Sequence, residues 1–479
     1  MARDWRDDRI DELEALVRAQ QAIIEEQQRT IEAQQRTIAR LEARVCELEA
    51  RLARTSRNSS VPPSSDPPGA PPAAPPKRTG RRRGGQPGHP RHTRKVVPPE
   101  QVTRTEAVKP HACRRCGHVL LGEDATPYRH QVIDVPKVVA LVEEYQLHAL
   151  RCPECGVTTR APLPAGVPVT QFGPRLQAMV SLCSGDYRMS KREIGHMVED
   201  FFGVPIALGS ISRLEQASSE AIAAPVEQVA QAIRQEPVVH TDETGWYEHS
   251  KRSWLWVATT SLMAVFLIRA SRGADVAKEL LGETFAGILI SDRWTAYTWV
   301  DAARRQLCWA HLLRHFRGFQ DHGAEATKIG RALEILAETM FYLWHQVRNG
   351  TLPHAEFQAL MTPLRQKVLF WLEHGKASGV RKIAGTCSGI LKLESALWTF
   401  VHVEGVEPTN NAAERSVRHG VLWRKRSFGT DSSSGSRFVE RILTVVTTLR
   451  RQQRNVLDYM TAACQARLHG ETPPSLLPL

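Results

Sequence analysis

The sequence predicts a multidomain α/β protein, because three different patterns follow one another along its 479 residues. A seven-residue apolar repeat comes first, two CxxC pairs follow, and short apolar strands alternate with helices through much of the second half. A chain of this length divides into roughly two to four domains, so each pattern has room for a domain of its own.

The seven-residue repeat spans residues 8–54 and predicts a coiled coil. Its first position is always apolar, at Ile10, Val17, Ile24, Ile31, Ile38, Val45 and Leu52. The position three residues later is leucine near the ends and glutamine in the centre, at Leu13, Gln20, Gln27, Gln34, Leu41 and Leu48. β-Branched residues followed by leucine in this spacing favour a parallel two-stranded coil. We expect the segment to pair with a second copy of the chain or with another protein.

A linker is predicted over residues 55–100. Residues 61–76 are dominated by proline, alanine and serine, which is typical of an extended spacer without a core. Residues 77–95 then contain eight lysines or arginines and no acid. Such an arm is suited to DNA phosphates, with Arg81, Arg82 and Arg83 as candidate contacts. A solvated tail that only adds solubility is the alternative.

Two CxxCG motifs predict a zinc ribbon over residues 101–168. Each motif turns two thiolates toward one ion, and two such pairs complete a tetrahedral structural site. The predicted Zn²⁺ ligands are Cys113, Cys116, Cys152 and Cys155. A redox-active pair is the alternative, which the matched second copy disfavours. The stretch from Gln131 to Leu150 is expected to be rich in strands.

Residues 169–232 predict a helical, helix-turn-helix-like DNA-binding region. One helix is expected from Pro174 to Gly185, and a capping box at Ser190 opens a second that ends near Phe202. A third begins near Leu208 after a glycine-containing turn. Helices joined in this way are typical of DNA-binding motifs. A helical hairpin that packs on the next domain would give the same pattern.

Short strands begin at Pro237, and their order predicts an RNase H-like catalytic domain over residues 233–430. Three strands, one helix and a fourth strand are expected at Val238–Thr241, Trp254–Thr260, Ala264–Ile268, Ala274–Leu281 and Ile288–Ser291. In this order the fourth strand pairs with the first. A helical insertion is expected at about 312–400, followed by an extended break at 401–408. A C-terminal helical segment over 431–479, mainly Ser436 to Leu468, closes the chain.

Three acids are the catalytic and metal-binding candidates: Asp242, Asp292 and Glu414. Both aspartates follow apolar strands that this order makes neighbours, and the glutamate opens a helix that begins as a capped start at Thr409 and Asn410. Two Mg²⁺ ions, or Mn²⁺ in their place, are held by such carboxylates in sites that cleave phosphodiesters. Glu243 is expected to face the opposite side of its strand, and Asp301 follows no clear strand.

Other residues near these acids have more than one interpretation. Cys308 and His311 form a CxxH pair that lacks two further zinc ligands nearby in sequence. Packing of the insertion, or contact of His311 or Trp309 with a DNA end, is the favoured role. The remaining DNA-binding candidates are basic residues on and after the Glu414 helix, which solvated surface charges would also explain: Arg415, Arg418, Arg424 and Lys425.

The overall charge agrees with a polyanionic partner. Lysine and arginine exceed aspartate and glutamate by 12, and the isoelectric point is near 9.4. The sequence has no run of 18 apolar residues and no secretion signal, and its nine cysteines are odd in number. These features predict a cytoplasmic protein with reduced thiols. A phosphate-binding GxxxxGK[ST] loop is absent from the sequence.

Taken together, the motifs resemble those of the IS66-family insertion-sequence transposases over nearly the whole chain. The motifs are Gly84–His89, the paired CxxCG turns, His240–Thr244, Ser291–Asp292 with Tyr297, Cys308–His311, and Asn410–Arg415 with Arg418. The resemblance implies a DDE-type enzyme with the triad Asp242, Asp292 and Glu414. It also implies joining at terminal inverted repeats in double-stranded DNA and small helper proteins, in a bacterial cytoplasm. A nuclease without strand transfer and an inactive DNA-binding regulator are the rival functions.

Overall fold

A computed structural model describes residues 5–52 and 96–478. The described residues fall into two compact units, one made of 5–52, 145–196 and 206–478 and the other of 96–144 and 197–205. The basic arm with Arg81, Arg82 and Arg83 lies outside the described residues. None of the described helices has the length and apolar character that a membrane crossing needs.

The N-terminal repeat forms one uninterrupted helix, α1 (Trp5–Leu52). The seam residues Val17, Ile24, Ile31, Ile38 and Val45 are each 46–63% exposed. Helix α1 therefore carries the predicted apolar seam along its surface, where a partner helix would bury it. Pairing of this helix stays a prediction.

The expected strand-rich stretch between the CxxCG motifs is wrong. Residues 120–148, all of them described, form no strand, and only Ala149–Arg151 (β1) pairs with Thr158–Arg160 (β2), in antiparallel register. Val132, Leu141 and Val142 suggested strands by their side chains but are exposed. A strand is stabilised by packing on a half-buried face, and these residues have none within the described chain.

The next region contains the three predicted helices with nearly the predicted bounds: α2 (Pro174–Gly185), α3 (Lys191–Phe202) and α4 (Leu208–Ala221). A fourth helix, α5 (Ala223–Ile233), was not predicted. The capping box is confirmed, since Glu193 accepts from the Ser190 amide at 2.6 Å and Ser190 Oγ from the Glu193 amide at 3.3 Å. Helices α2 and α4 pack on the C-terminal helices of the chain. The sequence left two interpretations open, a DNA-binding motif and a helical hairpin that packs on other parts of the protein. The contacts of α2 and α4 agree with the second interpretation.

The central sheet has five strands: β3 (Val238–Glu248), β4 (Lys251–Thr259), β5 (Ala264–Arg269), β6 (Ile288–Ser291) and β7 (Arg305–Leu307). Their order is β5-β4-β3-β6-β7, with β6 and β7 parallel to β3 and the other pairs antiparallel. The prediction that the fourth strand of the domain lies beside the first is confirmed. Helix α6 (Ala274–Leu281) forms the crossover between β5 and β6.

The insertion contains five α-helices, and their buried residues form one core with Ile290 of β6 and Leu307 of β7. The helices are α7 (Trp309–Gly318), α8 (Ala324–Arg348), α9 (His354–Ala377), α10 (Arg381–Leu391) and α11 (Thr399–His402). Buried aromatic residues, among them Trp309, Phe357, Trp398 and Phe400, fill the space between them. The expected extended break therefore begins at Val403, two residues later than predicted.

Three helices follow: α12 (Asn411–Ser427), α13 (Ser433–Arg451) and α14 (Val456–His469). The single final helix predicted from the sequence is wrong, because Gln453 adopts a left-handed conformation (φ 58°) and Asn455 caps α14 through the Asp458 amide. Helix α13 covers the edge of β5, where Thr444 and Thr448 accept from the amides of Phe266 and Ala264. These bonds satisfy an edge that would otherwise be open to another strand.

Candidate active site

The register of two parallel strands brings the predicted aspartates together. His240 of β3 pairs with Ile290 of β6, and continuing this register by two residues sets Asp292 opposite Asp242. Strand β6 ends at Ser291, whereas β3 continues to Glu248 in a hairpin with β4. The sequence suggested that the strand ends at Asp242, and this expectation is wrong. Asp242 lies where β3 loses its β6 neighbour, so its side chain borders an open end of the sheet.

Helix α12 lies on the Asp242 face of β3. Side chains alternate along a strand, so His240, Asp242 and Thr244 share one face. His240 contacts Asn410, just before α12, and Thr244 accepts from Arg424 near the end of that helix. Asp242 lies between these two ties and therefore faces the helix that carries Glu414.

Asn410 fixes the start of α12, although not in the way the sequence predicted. It occupies the N-cap position, yet its side chain makes no bond to the helix amides. The side-chain Nδ2 of Asn410 instead donates to the Thr241 carbonyl at 2.6 Å, and the side-chain Oδ1 lies 3.2 Å from His240 Nδ1. Because Oδ1 can only accept, Nδ1 of His240 carries the proton. A residue expected to cap one helix therefore binds that helix to the strand of Asp242.

The acids at this end of the sheet repel one another. Burial raises the pKa of Asp242 well above its ordinary value, and the nearby carboxylates Glu243, Asp292 and Glu414 raise it further. Burial also raises the pKa of Asp292, against the Trp294 amide and neighbouring arginines, which lower it. Carboxylates in this arrangement are neutralised by protons or by a bound cation.

Glu243 points to the other side of β3, as predicted. It pairs with Arg272 at 2.8 Å and accepts from the Tyr297 hydroxyl at 2.6 Å. Burial and the Asp292 charge raise the pKa of Glu243 to about 7, against the lowering effect of Arg272. Asp301 is exposed and caps a short 3₁₀ turn by accepting from the Ala303 amide. Both acids thus have structural partners of their own.

Trp294 orients Asp292, a role that the sequence did not reveal. The Trp294 amide donates to Asp292 Oδ1 at 2.8 Å, and the indole N–H donates to the Arg272 carbonyl at 3.0 Å. The Arg272 guanidinium stacks 3.9 Å from the Trp294 ring. Arg305, fully buried, donates to the Asp292 carbonyl at 3.1 Å. Arginine and tryptophan thus hold the turn after β6 from two sides.

Glu414 lies beside the CxxH pair. Among the described residues, Cys308, His311 and Glu414 form a group whose potential ligand atoms lie within 4.8 Å of one another. The sequence suggested that Cys308 and His311 lack two further metal ligands nearby. The fold supplies one of these two, because Glu414 of α12 lies beside them. His311 Nδ1 lies 3.5 Å from Glu414 Oε1, and neither atom has a hydrogen bond. Burial and Arg314 lower the pKa of His311 to about 3, so the imidazole is neutral.

Trp309, the other residue of this motif considered for DNA contact, is fully buried. Its indole N–H donates to the Leu397 carbonyl at 2.8 Å, and its ring packs edge-on against Trp398. A DNA contact is therefore wrong for Trp309, and packing of the insertion is confirmed. The hydrophobic interior of the insertion holds this side chain because it can bury a large apolar surface there.

Comparison with known proteins decides the family. The description "Transposase IS66 family" matches residues 170–437, which is more than half of the chain. The chain belongs to the IS66 family of transposases. A second match, over residues 4–95, is to a family of unknown function. "Uncharacterized protein y4qI" of Sinorhizobium fredii (strain NBRC 101917 / NGR234) is 26% identical over 417 residues, which cover 79% of this chain and 73% of that protein.

A cleft lies beside the candidate site of this transposase. It has a volume of about 680 Å³ and is bordered by β3, α8, the loop before α12 and the first turn of α12. Its charged lining is mixed and consists of Arg348, Arg415, Arg451, Glu236, Glu404 and Glu407. Arg415 is exposed and has no hydrogen bond or ion pair among the described residues. Arg415 therefore offers an unpaired positive charge at the cleft, whereas Arg348 pairs with Glu407 at 4.0 Å.

The basic residues later in α12 of the transposase divide into two kinds. Arg418 and Lys425 are exposed. Arg424 is half-buried and donates to the Thr244 hydroxyl and the Gly245 carbonyl, and its burial lowers its pKa. Arg424 thus ties α12 to β3, whereas Arg418 and Lys425 project into solvent.

The two CxxCG turns of the transposase have the same local structure. The Cys113 amide donates to the His118 carbonyl at 2.8 Å, and the Cys152 amide donates to the Val157 carbonyl at the same distance. The glycines that close the two turns are left-handed (φ 72° and 75°). Hydrogen bonds from the turn amides lower the pKa of the first thiol in each turn. The turns belong to different compact units, and their union around one zinc ion stays a prediction.

Proposed function

We propose that this transposase is a DDE-type enzyme that binds the terminal inverted repeats of its element. It cleaves the 3′ ends in a metal-dependent reaction and transfers them into target DNA. Hydrolysis at an element end leaves a 3′-hydroxyl, which then attacks a phosphodiester of the target at the same site. The strand order of the sheet matches the RNase H-like arrangement, which we propose as the fold of the catalytic domain.

One observation supports the proposal most strongly: the β3–β6 register, continued by two residues, brings Asp292 level with Asp242, and α12 lies on the Asp242 face of β3. The electrostatic effect of Glu414 on Asp242 adds the third acid. A surface acid chosen at random would have neither a matched strand partner nor a shifted pKa. Two neighbouring aspartates with raised pKa values are typical of a catalytic site.

The donor set fits divalent cations. The acids offer hard oxygen ligands, their mutual repulsion is relieved by positive charge, and Glu414 Oε1 is buried without a hydrogen bond. We propose that Asp242, Asp292 and Glu414 hold two Mg²⁺ ions, or Mn²⁺ in their place. Such ions would activate the attacking oxygen and stabilise the leaving oxygen. Asn410 and Trp294 keep the carboxylates oriented, and neutral His311 keeps a ring nitrogen against Glu414.

We propose that the exposed arginines bind DNA backbone near this site. Arg415 borders the cleft and Arg418 lies one turn further along α12. Phosphate contacts of this kind fix the register of DNA without reading its sequence. Arg81, Arg82 and Arg83 in the basic arm would add a further, salt-dependent contact.

The N-terminal regions have supporting roles in this proposal. Helix α1 would pair two copies of the transposase, or one copy and a helper protein, through its exposed apolar seam. The four CxxCG thiolates would hold one structural Zn²⁺. The site of action is the bacterial cytoplasm, on the DNA of the nucleoid.

A joining assay tests the proposal. Duplexes that carry pre-cleaved element ends are incubated with the full-length protein, a supercoiled plasmid and Mg²⁺. The proposal predicts joined products that disappear with chelator and with Asp242→Asn. Asp301→Asn, which removes an exposed carboxylate of the same domain, is the matched control and should join normally. Shortening of the ends without joining would instead identify a nuclease, and loss of end binding by Asp242→Asn would remove the catalytic role of that residue.

A further inference from the structure

Helix α12 ends in an unusual residue. Phe428 has a left-handed backbone (φ 61°), and its side chain is 79% exposed. Glycine or asparagine normally occupies this position, because a β-carbon is strained there. Of the described non-glycine residues with positive φ, Phe428 alone has a large apolar side chain. A bulky apolar side chain that is both strained and exposed adds nothing to the core.

The backbone around Phe428 is held from both sides. Its amide donates to the Arg424 carbonyl at 2.8 Å, and the Thr430 amide donates to the Tyr247 carbonyl at 2.9 Å. Gly429, between them, has φ 130°, and a β-carbon there would lie 2.1 Å from the Tyr247 oxygen. Strained residues persist where neighbouring contacts fix them, and they are concentrated at functional sites. The ring of Phe428 is therefore presented to solvent at a fixed position.

The surrounding surface is basic and aromatic. Gly429 and Thr430 connect the end of α12 to the tip of the β3–β4 hairpin, where Tyr247 is 48% exposed. We define the hairpin corner as Tyr247, His249, Lys251, Arg252, Lys425 and Phe428, all of them exposed. Two acids lie next to it, the half-buried Glu248 and the exposed Asp431. Three cations and two exposed rings thus lie on the hairpin and the adjoining helix end, with Arg252 paired across the hairpin to Tyr247.

We propose that the hairpin corner binds single-stranded DNA, with one unpaired base stacked on Phe428 and the adjoining phosphates on Lys251, Arg252 and Lys425. Aromatic rings among cations bind unpaired bases because every base has a π face, whereas bases in a duplex are already stacked. This inference rests on the proposed action at DNA ends, where strand cleavage exposes unpaired nucleotides. Its ligand is a single strand of any sequence, and neither duplex DNA nor a protein surface.

The test uses the full-length protein without divalent metal. Binding is followed by anisotropy of a labelled oligothymidine, and stacking by quenching of 2-aminopurine in the same strand. Phe428→Gly should bind the strand about 5- to 150-fold more weakly, the range that one stacked base contributes. Its melting temperature should equal or exceed that of the wild type, because glycine relieves the left-handed strain. Phe428→Tyr should retain both binding and quenching.

Two comparisons complete the test. Phe370→Ala removes another exposed ring, on α9, and should leave binding unchanged. Duplex DNA of the same length should bind Phe428→Gly as it binds the wild type. Unchanged single-strand binding by Phe428→Gly, or an equal loss for duplex, overturns the proposal. Quenching is measured without catalysis, so the two proposals can fail separately. A protein that cleaves no DNA end but shows Phe428-dependent quenching would refute the proposed function and support single-strand binding at the hairpin corner.

Discussion

Removal of the Asn410 side chain should loosen the helix that carries Glu414. Asn410 is 1% exposed and connects α12 to β3 through the Thr241 carbonyl and His240 Nδ1. Asn410→Ala leaves both of these buried groups without a partner. The adjacent Asn411 is exposed, so Asn411→Ala is a matched control that changes the same chemical group one residue further on.

The expected magnitude follows from the two lost bonds. Each of the two buried polar groups left without a partner costs about 1–3 kcal/mol, so Asn410→Ala should lower the free energy of unfolding by roughly 2–6 kcal/mol. A shift of Glu414 by about 1 Å would reduce strand transfer on the order of 100-fold. Asn411→Ala should change stability by less than about 0.5 kcal/mol, as surface substitutions commonly do.

Urea unfolding and the joining of pre-cleaved ends measure the two effects. Element-end binding, followed by gel shift, should persist in both variants, because neither substitution removes a positive charge. If Asn410→Ala is as stable and as active as Asn411→Ala, the tie between α12 and β3 has no role in positioning Glu414, and the reasoning fails.

Four further substitutions have expected outcomes. Gly420→Ala should destabilise the protein by about 1–3 kcal/mol, because its β-carbon would lie 2.0 Å from the buried Leu255 side chain. Gly385→Ala, in open space on α10, should stabilise by about 0.5–1 kcal/mol, and equal urea midpoints for the two variants would contradict this packing. Cys152→Ser should lower the zinc content measured by mass spectrometry, and an unchanged content would exclude the four-thiolate site. Burial, with neighbouring positive charges, lowers the pKa of His315 from 6.5 to about 4, so its contribution to stability is complete above pH 6.5 and is lost as the pH falls toward 4. Melting temperatures of His315→Gln should therefore fall less over that interval than those of the wild type, and parallel curves would exclude this cause.

Local patterns predicted many elements well. The bounds of α2, α6 and β6 are those expected from the sequence, because capping residues, glycines and apolar runs mark them. The neighbour relation of β3 and β6 also followed from strand order alone. These features depend on residues close together in the chain, and their signals are present in any short window.

Elements set by distant contacts were predicted less well. Strand β3 continues past Asp242 through pairs with β4 as far as Glu248 and Lys251, although the polar and glycine residues at 243–245 interrupt the apolar run and favour a turn. Asn410 has the sequence signature of a cap, but its side chain bonds to a strand 169 residues earlier. Only the fold could reveal that Trp294 orients Asp292, because its partner Arg272 lies on a different connection.

Metal rescue at Asp242 is the most direct test of the central claim, which is that Asp242, Asp292 and Glu414 bind divalent metal ions. Asp242→Cys replaces a hard oxygen ligand with a soft thiolate, which Mg²⁺ binds poorly and Mn²⁺ tolerates. The joining of pre-cleaved ends by this variant should be lost in Mg²⁺ and recovered at least in part in Mn²⁺, while Asp242→Ala stays inactive in both. Equal activity of the cysteine variant in the two metals, or activity of the alanine variant in either, would contradict the role of Asp242 as a metal ligand.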